Sequence, residues 1–505
     1  MGKGTKHRKT VGAGERKDAK TQENAVFIQT RRNLVILSVL FILGLALRIF
    51  ELARKPLWLD EASTYFLTNQ ANVMDVWAAA FNDHHAPLHF IVIWMVKSIG
   101  SDEFWLRFPS AIAGALTLIV VFLLAKELAN EEAGLIAAAL IAVSPYHILY
   151  SQEARMYGMV VLFVSLAMYT FFRAVRTRSL VDWMCFGSAC ALAFYTHFYA
   201  SFVILSLLLS YGIIRWKEFG FDHQGDQDAV HRIRLPLDFR HFLTGVAVAG
   251  VLALPLLGSF FNQSGYFVSR TFNWGLSMWS IPSQTFLMFS YYSELIAVIF
   301  FVLMITALVM IWHQNRERMC ALVVIMFVPM LISMYLSQII PFNVRYHLYL
   351  IVVFLCLVAL PLAWIGKKIH PAYGMITIIV VILLLSAIPL AAYYTDPLQE
   401  DWRTLSGSLN RITQSGDIIV PLPNYMVQPL SYYYDNTTDD TFYHGFVLNE
   451  SGFRSLDNTT GTVYYVVTWD ISAADPTGYS VQYLNEHAEP TVASVPGIYV
   501  LKKVR

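Results

Sequence analysis

Two short acidic and histidine-rich stretches contain the side chains best suited to chemistry. The first reads Trp58-Leu59-Asp60-Glu61, and the second reads Asp83-His84-His85-Ala86-Pro87-Leu88. The adjacent carboxylates of Asp60 and Glu61 can act as a general base on a hydroxyl group, or they can hold a divalent cation through oxygen ligands. The alternative is that Asp60 caps a helix that starts near Ala62, since acidic helix caps are common.

A second set of candidates consists of arginines near the ends of long apolar runs or in the connections between them. They are Arg107, Arg155, Arg270 and Arg345. A guanidinium group matches phosphate oxygens in a bidentate fork, so several converging arginines indicate a bound phosphate. For a single arginine, snorkelling toward lipid headgroups or pairing with Glu153 or Asp102 is the simpler interpretation.

A third set is aromatic. Tyr195-Thr196-His197-Phe198-Tyr199 lies between two apolar runs, which is typical of membrane-anchoring belts, with sugar stacking as the less favoured alternative. The sequence has no phosphate-binding Gly-x-x-x-x-Gly-Lys-Ser/Thr loop, no Gly-x-Gly-x-x-Gly and no His-Glu-x-x-His. The energy for any group transfer must therefore arrive with the substrate.

The elements that must position these residues are membrane-spanning helices. Of the 505 residues, 56% are hydrophobic and 14% are charged, against roughly 25% charged in soluble domains. A helix needs about 20 mostly apolar residues to cross a bilayer. We predict eleven such spans, over residues 33–52, 106–128, 134–151, 156–175, 181–196, 198–215, 241–261, 292–312, 319–338, 346–366 and 371–393.

The basic residues predict which helix ends face the cytosol. Residues 1–32 are basic and poor in apolar residues, which predicts a disordered cytosolic tail. Alternate connections are then rich in Lys and Arg, at 173–178, 215–241, 313–318 and 367–368. An odd number of spans places the C-terminal segment outside, where glycosylation triplets begin at Asn436, Asn449 and Asn458. The net charge of +1 gives no attraction for nucleic acid.

Two regions lie outside the spans. The first outer loop, residues 53–105, contains the short apolar run 86–100, interpreted as an interfacial helix because a span there would invert every later connection. Residues 396–505 turn polar and predict a small α/β domain, with a helix over 401–413 and strands over 417–422 and 462–469. The predicted fold is mostly α: residues 33–395 form a polytopic membrane domain, followed by this extracytoplasmic domain.

The chain resembles the GT-C class of membrane glycosyltransferases. Within that class it is similar to the dolichyl-phosphate-mannose protein mannosyltransferases and to the aminoarabinose transferase of lipid A. The likeness covers residues 33–200 best and rests on four stretches: 58–61, 85–88, 103–110 and 144–157. Ala86 departs from the His-Pro-Pro-Leu motif of the family. A Trp-Trp-Asp-Tyr-Gly motif is absent from the sequence, which disfavours an oligosaccharyltransferase.

The resemblance implies a polyprenyl monophosphate sugar donor, an active site on the outer face and transfer with inversion. It implies that Asp60 deprotonates the acceptor hydroxyl, with Glu61 as its neighbour or alternative, and that Arg107 and Arg155 bind the departing phosphate. Position adds Arg345 and Arg270 to the phosphate set. The expected pocket residues are Trp58, Asp83, His84, His85, Glu153, Tyr157, His197 and Tyr346.

The sequence requires no cofactor, but a divalent cation held by Asp60, Asp83 and His84 stays open. The expected partners are the lipid-linked sugar donor, membrane lipid, and an acceptor that is a glycolipid, a lipid-linked glycan or a protein. A competing hypothesis is a transporter or flippase of lipid-linked sugars without transferase activity. Transporters tend to place ionisable residues near mid-membrane, whereas the charged groups in this chain cluster at one face. A scaffolding membrane protein is the third alternative.

Overall fold

The computed structural model describes residues 29–222, 232–261, 275–396, 400–434, 442, 448–456, 459 and 461–504. The predicted phosphate ligand Arg270 lies outside the described residues, as do Asn436, Asn458 and most of the predicted basic tail. Within the described residues, the chain forms a bundle of long apolar helices followed by a smaller α/β domain.

Nine helices in the described part of the chain are long and apolar enough to cross a bilayer. The pair Glu131–Ala142 and Pro145–Ser151, bent by 63° at its break, can make a tenth, and the apolar helix Leu180–Thr196 has only 17 residues. Each predicted span has a helix, but the count of eleven stays a prediction. The nine helices are Gln29–Ile49, Glu103–Leu128, Tyr157–Thr177, Ala200–Glu218, Phe239–Phe261, Glu294–Gln314, Arg316–Leu336, Val344–Ile369 and Gly374–Thr395.

The bend between Glu131–Ala142 and Pro145–Ser151 follows from the local sequence. The Ser144 side chain caps the second helix, whose first position holds Pro145, a residue with no N–H to satisfy. The fully buried Arg48 of the first span donates to the carbonyls of Ile141 and Ala142 at 3.0 and 3.1 Å. Arg48 therefore satisfies acceptors that are left free where the first helix of the pair ends.

The first loop, residues 50–102, contains three short helices: Leu59–Leu67, Val73–Asn82 and Leu88–Val96. The last coincides with the apolar run 86–100, and its nine residues are too few to cross a bilayer. Its His89 is fully buried, and His89 Nε2 lies 3.1 Å from the carbonyl oxygen of Ala154. Burial lowers the pKa of His89 to about 3, so the neutral ring donates this hydrogen bond.

The basic connections between helices lie at the end of the bundle opposite the first loop, where ion pairs link them. These connections are the ones predicted to share the cytosolic side. The acidic partners come from the ends of the same or neighbouring helices. The pairs are Lys126–Glu131, Arg176–Glu127, Lys367–Glu132 and Lys217–Glu317.

The C-terminal domain is built on a four-stranded sheet. Strand Ile418–Leu422 runs parallel to Val463–Thr468, which pairs antiparallel with Ile498–Lys503, and the latter pairs antiparallel with Ala488–Pro490. Helices cover both faces, because successive strand residues point to opposite sides of the sheet. The helices are Trp402–Ile412, Val427–Tyr433, Glu450–Ser455 and Tyr479–His487.

Hydrogen bonds around Glu103 attach this domain to the first loop. The Tyr433 hydroxyl donates to Glu103 Oε1 at 2.7 Å and accepts from the N–H of Leu57 at 2.7 Å. Arg403 donates to the same carboxylate oxygen of Glu103 at 2.5 Å. The C-terminal domain therefore holds the backbone directly before Trp58. We name this end of the bundle, which contains the first loop and Glu103, the site end.

Candidate active site

The Asp60 carboxylate lies beside two arginines from distant parts of the chain. Arg345 Nη2 is 3.3 Å from Asp60 Oδ2, and Arg155 Nε is 3.9 Å from the same oxygen. The arginine side chains are 17% and 6% exposed, whereas that of Asp60 is 24% exposed. All three side chains are therefore mostly buried, and burial strengthens the electrostatic attraction of the two cations for an anion.

Asp60 is in the first turn of the helix Leu59–Leu67. The alternative that Asp60 caps a helix starting near Ala62 is wrong, because the helix begins at Leu59 and its N-cap is Trp58. Glu61, and not Asp60, accepts the Trp58 N–H, at 3.4 Å. The Asp60 side chain is therefore free to face the arginines.

Arg155 connects the residues predicted to form the pocket. Its Nη1 donates to the Asp60 carbonyl at 3.1 Å and to Thr64 Oγ1 at 3.2 Å. Its Nη2 lies 3.3 Å from His85 Nε2. With His85 Nδ1 2.7 Å from the Asp83 carbonyl and 3.0 Å from its carboxylate, Nδ1 donates and Nε2 accepts from Arg155. Asp83, His85 and Arg155 thus form one chain of contacts.

The backbone around Arg155 is fixed on several sides. The Ala154 N–H donates to Glu61 Oε1 at 2.7 Å, and Ser110 Oγ donates to the Arg155 carbonyl at 2.8 Å. Gly158 permits the close approach of the helices Tyr157–Thr177 and Glu103–Leu128, because a Cβ atom at this position would lie 2.7 Å from the Ser110 carbonyl oxygen. These contacts fix the backbone that carries the Arg155 side chain.

Aromatic rings surround Arg345. Its guanidinium carbon lies 5.4 Å from the Trp58 ring centroid and 5.7 Å from those of Tyr157 and Tyr346, distances typical of cation–π contacts. His197 packs against Tyr157 and Tyr346 with ring centroids 6.0 and 5.8 Å apart. His197 thus lies among the rings next to Arg345, and burial lowers its pKa to about 3.

Glu61 and Arg107 form a buried ion pair. Arg107 Nε and Nη2 donate to the two oxygens of Glu61 at 2.7 and 2.6 Å. The remaining donors of Arg107 reach the carbonyls of Leu52, Lys55 and Pro56. All five N–H groups of a guanidinium are thereby used. In this structure Arg107 presents no further donor to a phosphate.

Glu153 lies next to this pair and behaves differently. Its Oε2 atom is buried and has no hydrogen-bond partner among the described residues. Burial, aided by the carboxylates of Glu61 and Asp60 and opposed by Arg345 and Arg155, raises the pKa of Glu153 to about 8. Glu153 is therefore largely protonated at neutral pH.

The remaining predicted residues do not assemble a metal site. Within the described ranges, no group of three or more His, Cys, Asp and Glu side chains could hold a metal ion. Asp60 faces Arg345 and Arg155, and Asp83 faces His85. His84 lies in the turn before His85 with a φ of 60°, the left-handed region. A cation at Asp60 would compete with the two guanidinium groups.

Several solved structures share this fold at low sequence identity. ArnT from Cupriavidus metallidurans in the apo state has a TM-score of 0.56 at 12% identity, over 94% of this chain and 98% of that chain. ArnT bound to undecaprenyl phosphate gives 0.53 at 12%, over 92% and 98%. The archaeal oligosaccharyltransferase AglB from Archaeoglobus fulgidus, in complex with an inhibitory peptide and a dolichol-phosphate, gives 0.53 at 13%, over 90% and 71%.

A family model described as dolichyl-phosphate-mannose-protein mannosyltransferase matches residues 84–220. The chain shares the fold of ArnT and AglB, and its family likeness covers residues 84–220. No curated protein sequence matches this chain. The matched segment contains His85 and Arg155, whereas Asp60 and Arg345 lie outside it. Any role proposed for those two residues therefore rests on their geometry.

Proposed function

We propose that this membrane protein is a glycosyltransferase that moves a sugar from a polyprenyl-phosphate carrier to an acceptor hydroxyl, with inversion, on the extracytoplasmic face of the membrane. The observation that carries the proposal is the contact of Asp60 with Arg345 and Arg155, at 3.3 and 3.9 Å. It brings one base and two phosphate-binding cations to a single surface. The undecaprenyl phosphate bound to ArnT and the dolichol phosphate bound to AglB support this class of carrier.

The two arginines supply the binding site for the donor phosphate. Arg155 Nε and Arg345 Nε are both buried without a hydrogen-bond partner among the residues that the structure describes. Each guanidinium group thus keeps an N–H for a phosphate oxygen. When the phosphate binds, it replaces Asp60 as the anion that the two arginines attract. The Asp60 carboxylate is then free to contact the acceptor hydroxyl.

Asp60 acts as the general base. As the acceptor oxygen attacks the anomeric carbon, its proton passes to the Asp60 carboxylate, and the bond from that carbon to the phosphate oxygen breaks. The leaving polyprenyl phosphate keeps the electron pair, and the two guanidinium charges stabilise it. Inversion requires in-line attack, so the acceptor approaches from the side opposite the phosphate.

The distribution of basic residues supports the orientation. The Arg- and Lys-rich connections meet at the end of the bundle opposite Asp60. Because basic residues favour the cytosolic side, the site end faces outward. The N-terminus is then cytosolic, and the domain after residue 396, attached to the site end through Tyr433, is extracytoplasmic.

Within this proposal Glu61 and Arg107 have a positioning role and leave the phosphate to Arg155 and Arg345. Arg107 fixes the turn from Leu52 to Pro56 while Glu61 holds the Ala154 N–H. The alternative of a transporter without transferase activity has no observation in its favour at this site. The identity of the sugar and of the acceptor is a matter for the assay.

The test uses the purified chain in liposomes with polyprenyl-phosphate hexoses as donors. Lipids and membrane proteins of the source cells serve as acceptors, and release of polyprenyl phosphate is measured. Asp60→Asn should lower the rate by roughly 10²–10⁴-fold, the usual contribution of a general base. The matched control is Asp75→Asn, in an exposed first turn of the same loop, which should keep the wild-type rate. Full activity of Asp60→Asn would contradict the assignment.

A further inference from the structure

A cavity of about 270 Å³ lies next to the arginine pair and is separate from it. Four parts of the chain line it: residues 51–61 after the first span, Arg107 near the start of the second span, residues 149–153 and the end of the last span. Asp60, Arg155 and Arg345 are not among its lining residues. The side chains on which the inference depends are Arg54, Lys55, Trp58, Leu149, Glu153 and Tyr393.

Three polar atoms of the lining are buried without a hydrogen-bond partner among the described residues. They are Arg54 Nη2, Trp58 Nε1 and Glu153 Oε2. Buried polar groups in folded proteins are almost always satisfied, so each such atom needs an explanation. Three of them around one cavity indicate a ligand with several hydrogen-bonding groups.

The size and charge of the cavity limit that ligand. Pockets for drug-sized molecules measure about 300–1,000 Å³, so this cavity has room for a single small ring. The Arg54 charge is paired with Glu51 at 3.0 Å, and the Arg107 charge is paired with Glu61 at 2.6 Å. The two remaining charged groups of the lining, Lys55 and Asp396, are opposite in sign, so the cavity has no strong preference for an ion.

Aromatic rings form part of the wall. The Tyr393 hydroxyl donates to Gln152 at 2.6 Å, and Lys55 Nζ lies 4.6 Å from the Tyr393 ring centroid, so this ring is held in place. Trp58 contributes its N–H to the same cavity while its ring lies under Arg345. A rigid aromatic side chain with a polar edge suits a ligand that has both C–H faces and hydroxyl groups.

We propose that this cavity is a subsite for one uncharged pyranose ring. Ring hydroxyls accept hydrogen bonds from Arg54 Nη2 and Trp58 Nε1, and the Glu153 carboxyl bonds a further hydroxyl. The inference rests on the proposed function and adds to it the place where the enzyme recognises a sugar. The ring belongs either to the donor or to the acceptor, and the same chemistry serves both.

The protonation of Glu153 fits this assignment. Its pKa is raised to about 8, so near neutral pH the carboxyl carries a proton. A neutral carboxyl can donate to one sugar oxygen and accept from another hydroxyl. An ionised Glu153 would accept hydrogen bonds but could no longer donate one to a sugar oxygen, so it would bind a neutral ring more weakly.

The first experiment measures binding directly and does not depend on catalysis. Saturation-transfer NMR with a panel of methyl pyranosides, including mannoside, glucoside, galactoside and arabinoside, is applied to the full chain in nanodiscs. Arg54→Gln replaces the guanidinium with a shorter amide that cannot reach the ring, and Leu149→Phe fills the cavity. Arg54→Gln should weaken pyranoside binding roughly tenfold, and Leu149→Phe should abolish the NMR saturation transfer seen with the wild type. Lys97→Gln removes a charge from the same loop outside the cavity and should leave the transfer unchanged.

The second experiment separates the two sources of the ring. For Arg54→Gln we expect KM to rise roughly tenfold, since an unsatisfied buried hydrogen-bonding group costs about 1–3 kcal/mol. A rise in the donor KM assigns the ring to the donor, and a rise in the acceptor KM assigns it to the acceptor. The affinity for sugar-free polyprenyl phosphate should not change.

Two results would overturn the subsite. One is a panel in which no pyranoside binds, or in which neither cavity variant alters the binding. The other is an equal loss of polyprenyl phosphate affinity in Arg54→Gln, which would place the cavity within the phosphate site. Failure of the proposed transferase reaction is scored separately with Asp60→Asn, because the NMR measurement needs no turnover.

Discussion

Replacing Glu61 by glutamine removes one charge of a buried ion pair and leaves the other in place. The side chains of Arg107 and Glu61 are only 4% and 1% exposed, and their closest atoms are 2.6 Å apart. Breaking such a pair by removing one partner costs roughly 3–5 kcal/mol, because the remaining charge is buried without compensation. The Glu61→Gln substitution tests whether this pair is structural or catalytic.

The contacts of Glu61 refine this magnitude. Its carboxylate accepts from Arg107 Nε, from Arg107 Nη2 and from the Ala154 N–H. The amide of Glu61→Gln keeps one carbonyl oxygen and can retain part of this set. We therefore expect a loss near the lower end of the range, about 3 kcal/mol. The three carbonyls that bind Arg107 limit the loss further by keeping the guanidinium in place.

The assay is thermal unfolding of the purified protein in detergent, measured together with transfer activity. Glu61→Gln should lower the apparent melting temperature clearly, and Glu61→Leu combined with Arg107→Leu should lower it less than either single change. The control is Glu450→Gln, which breaks an exposed pair with Arg454 and should change little. If Glu61→Gln melts like the wild type and yet loses all transfer, Glu61 is the base and the structural interpretation fails.

Three further predictions follow from the same contacts. Arg155→Ala and Arg345→Ala should each weaken polyprenyl phosphate binding in a fluorescence titration far more than Lys367→Ala, at the opposite end, and equal losses would refute the site. Because the pKa of Glu153 is raised from 4.5 to about 8, the folded protein holds a proton there that the unfolded chain has lost. The contribution of Glu153 to stability therefore falls as the pH rises from 4.5 to about 8. Glu153→Gln should therefore melt higher than the wild type above pH 8 but not at acidic pH, and parallel curves would contradict this. Tyr433→Phe should lower kcat with little change in lipid phosphate affinity, because it frees the Leu57 N–H; an unchanged kcat would count against that role.

The gathering of Asp60, Arg155 and Arg345 could be predicted from the sequence. Span lengths and basic connections are local features, and together they assign each loop to a side of the membrane. That assignment placed the three residues at one surface, and in the structure they contact each other. The family likeness points to Asp60 and Arg155 through short motifs, and such motifs are local features as well.

The partners of these residues could not be predicted from local patterns. The sequence predicts Glu61 as the neighbour of the base or its alternative and Arg107 as a phosphate ligand, but their pairing depends on how the first loop packs on the second span. Arg48 was overlooked, although a lone arginine within an apolar run signals a buried charge that needs acceptors. Tyr393 reaches the cavity from the far end of the membrane domain, and no short-range pattern reports that contact.

The position of Tyr433 limits how freely the two halves of the chain can be exchanged. One phenol bridges Leu57 and Glu103, so the membrane bundle ends on a hydrogen-bonding group that only the last hundred residues supply. A chimaera that joins this bundle to a foreign tail would leave that backbone amide and carboxylate to water. We expect a chimaera to fold and remain active only when its C-terminal domain supplies an equivalent hydroxyl group.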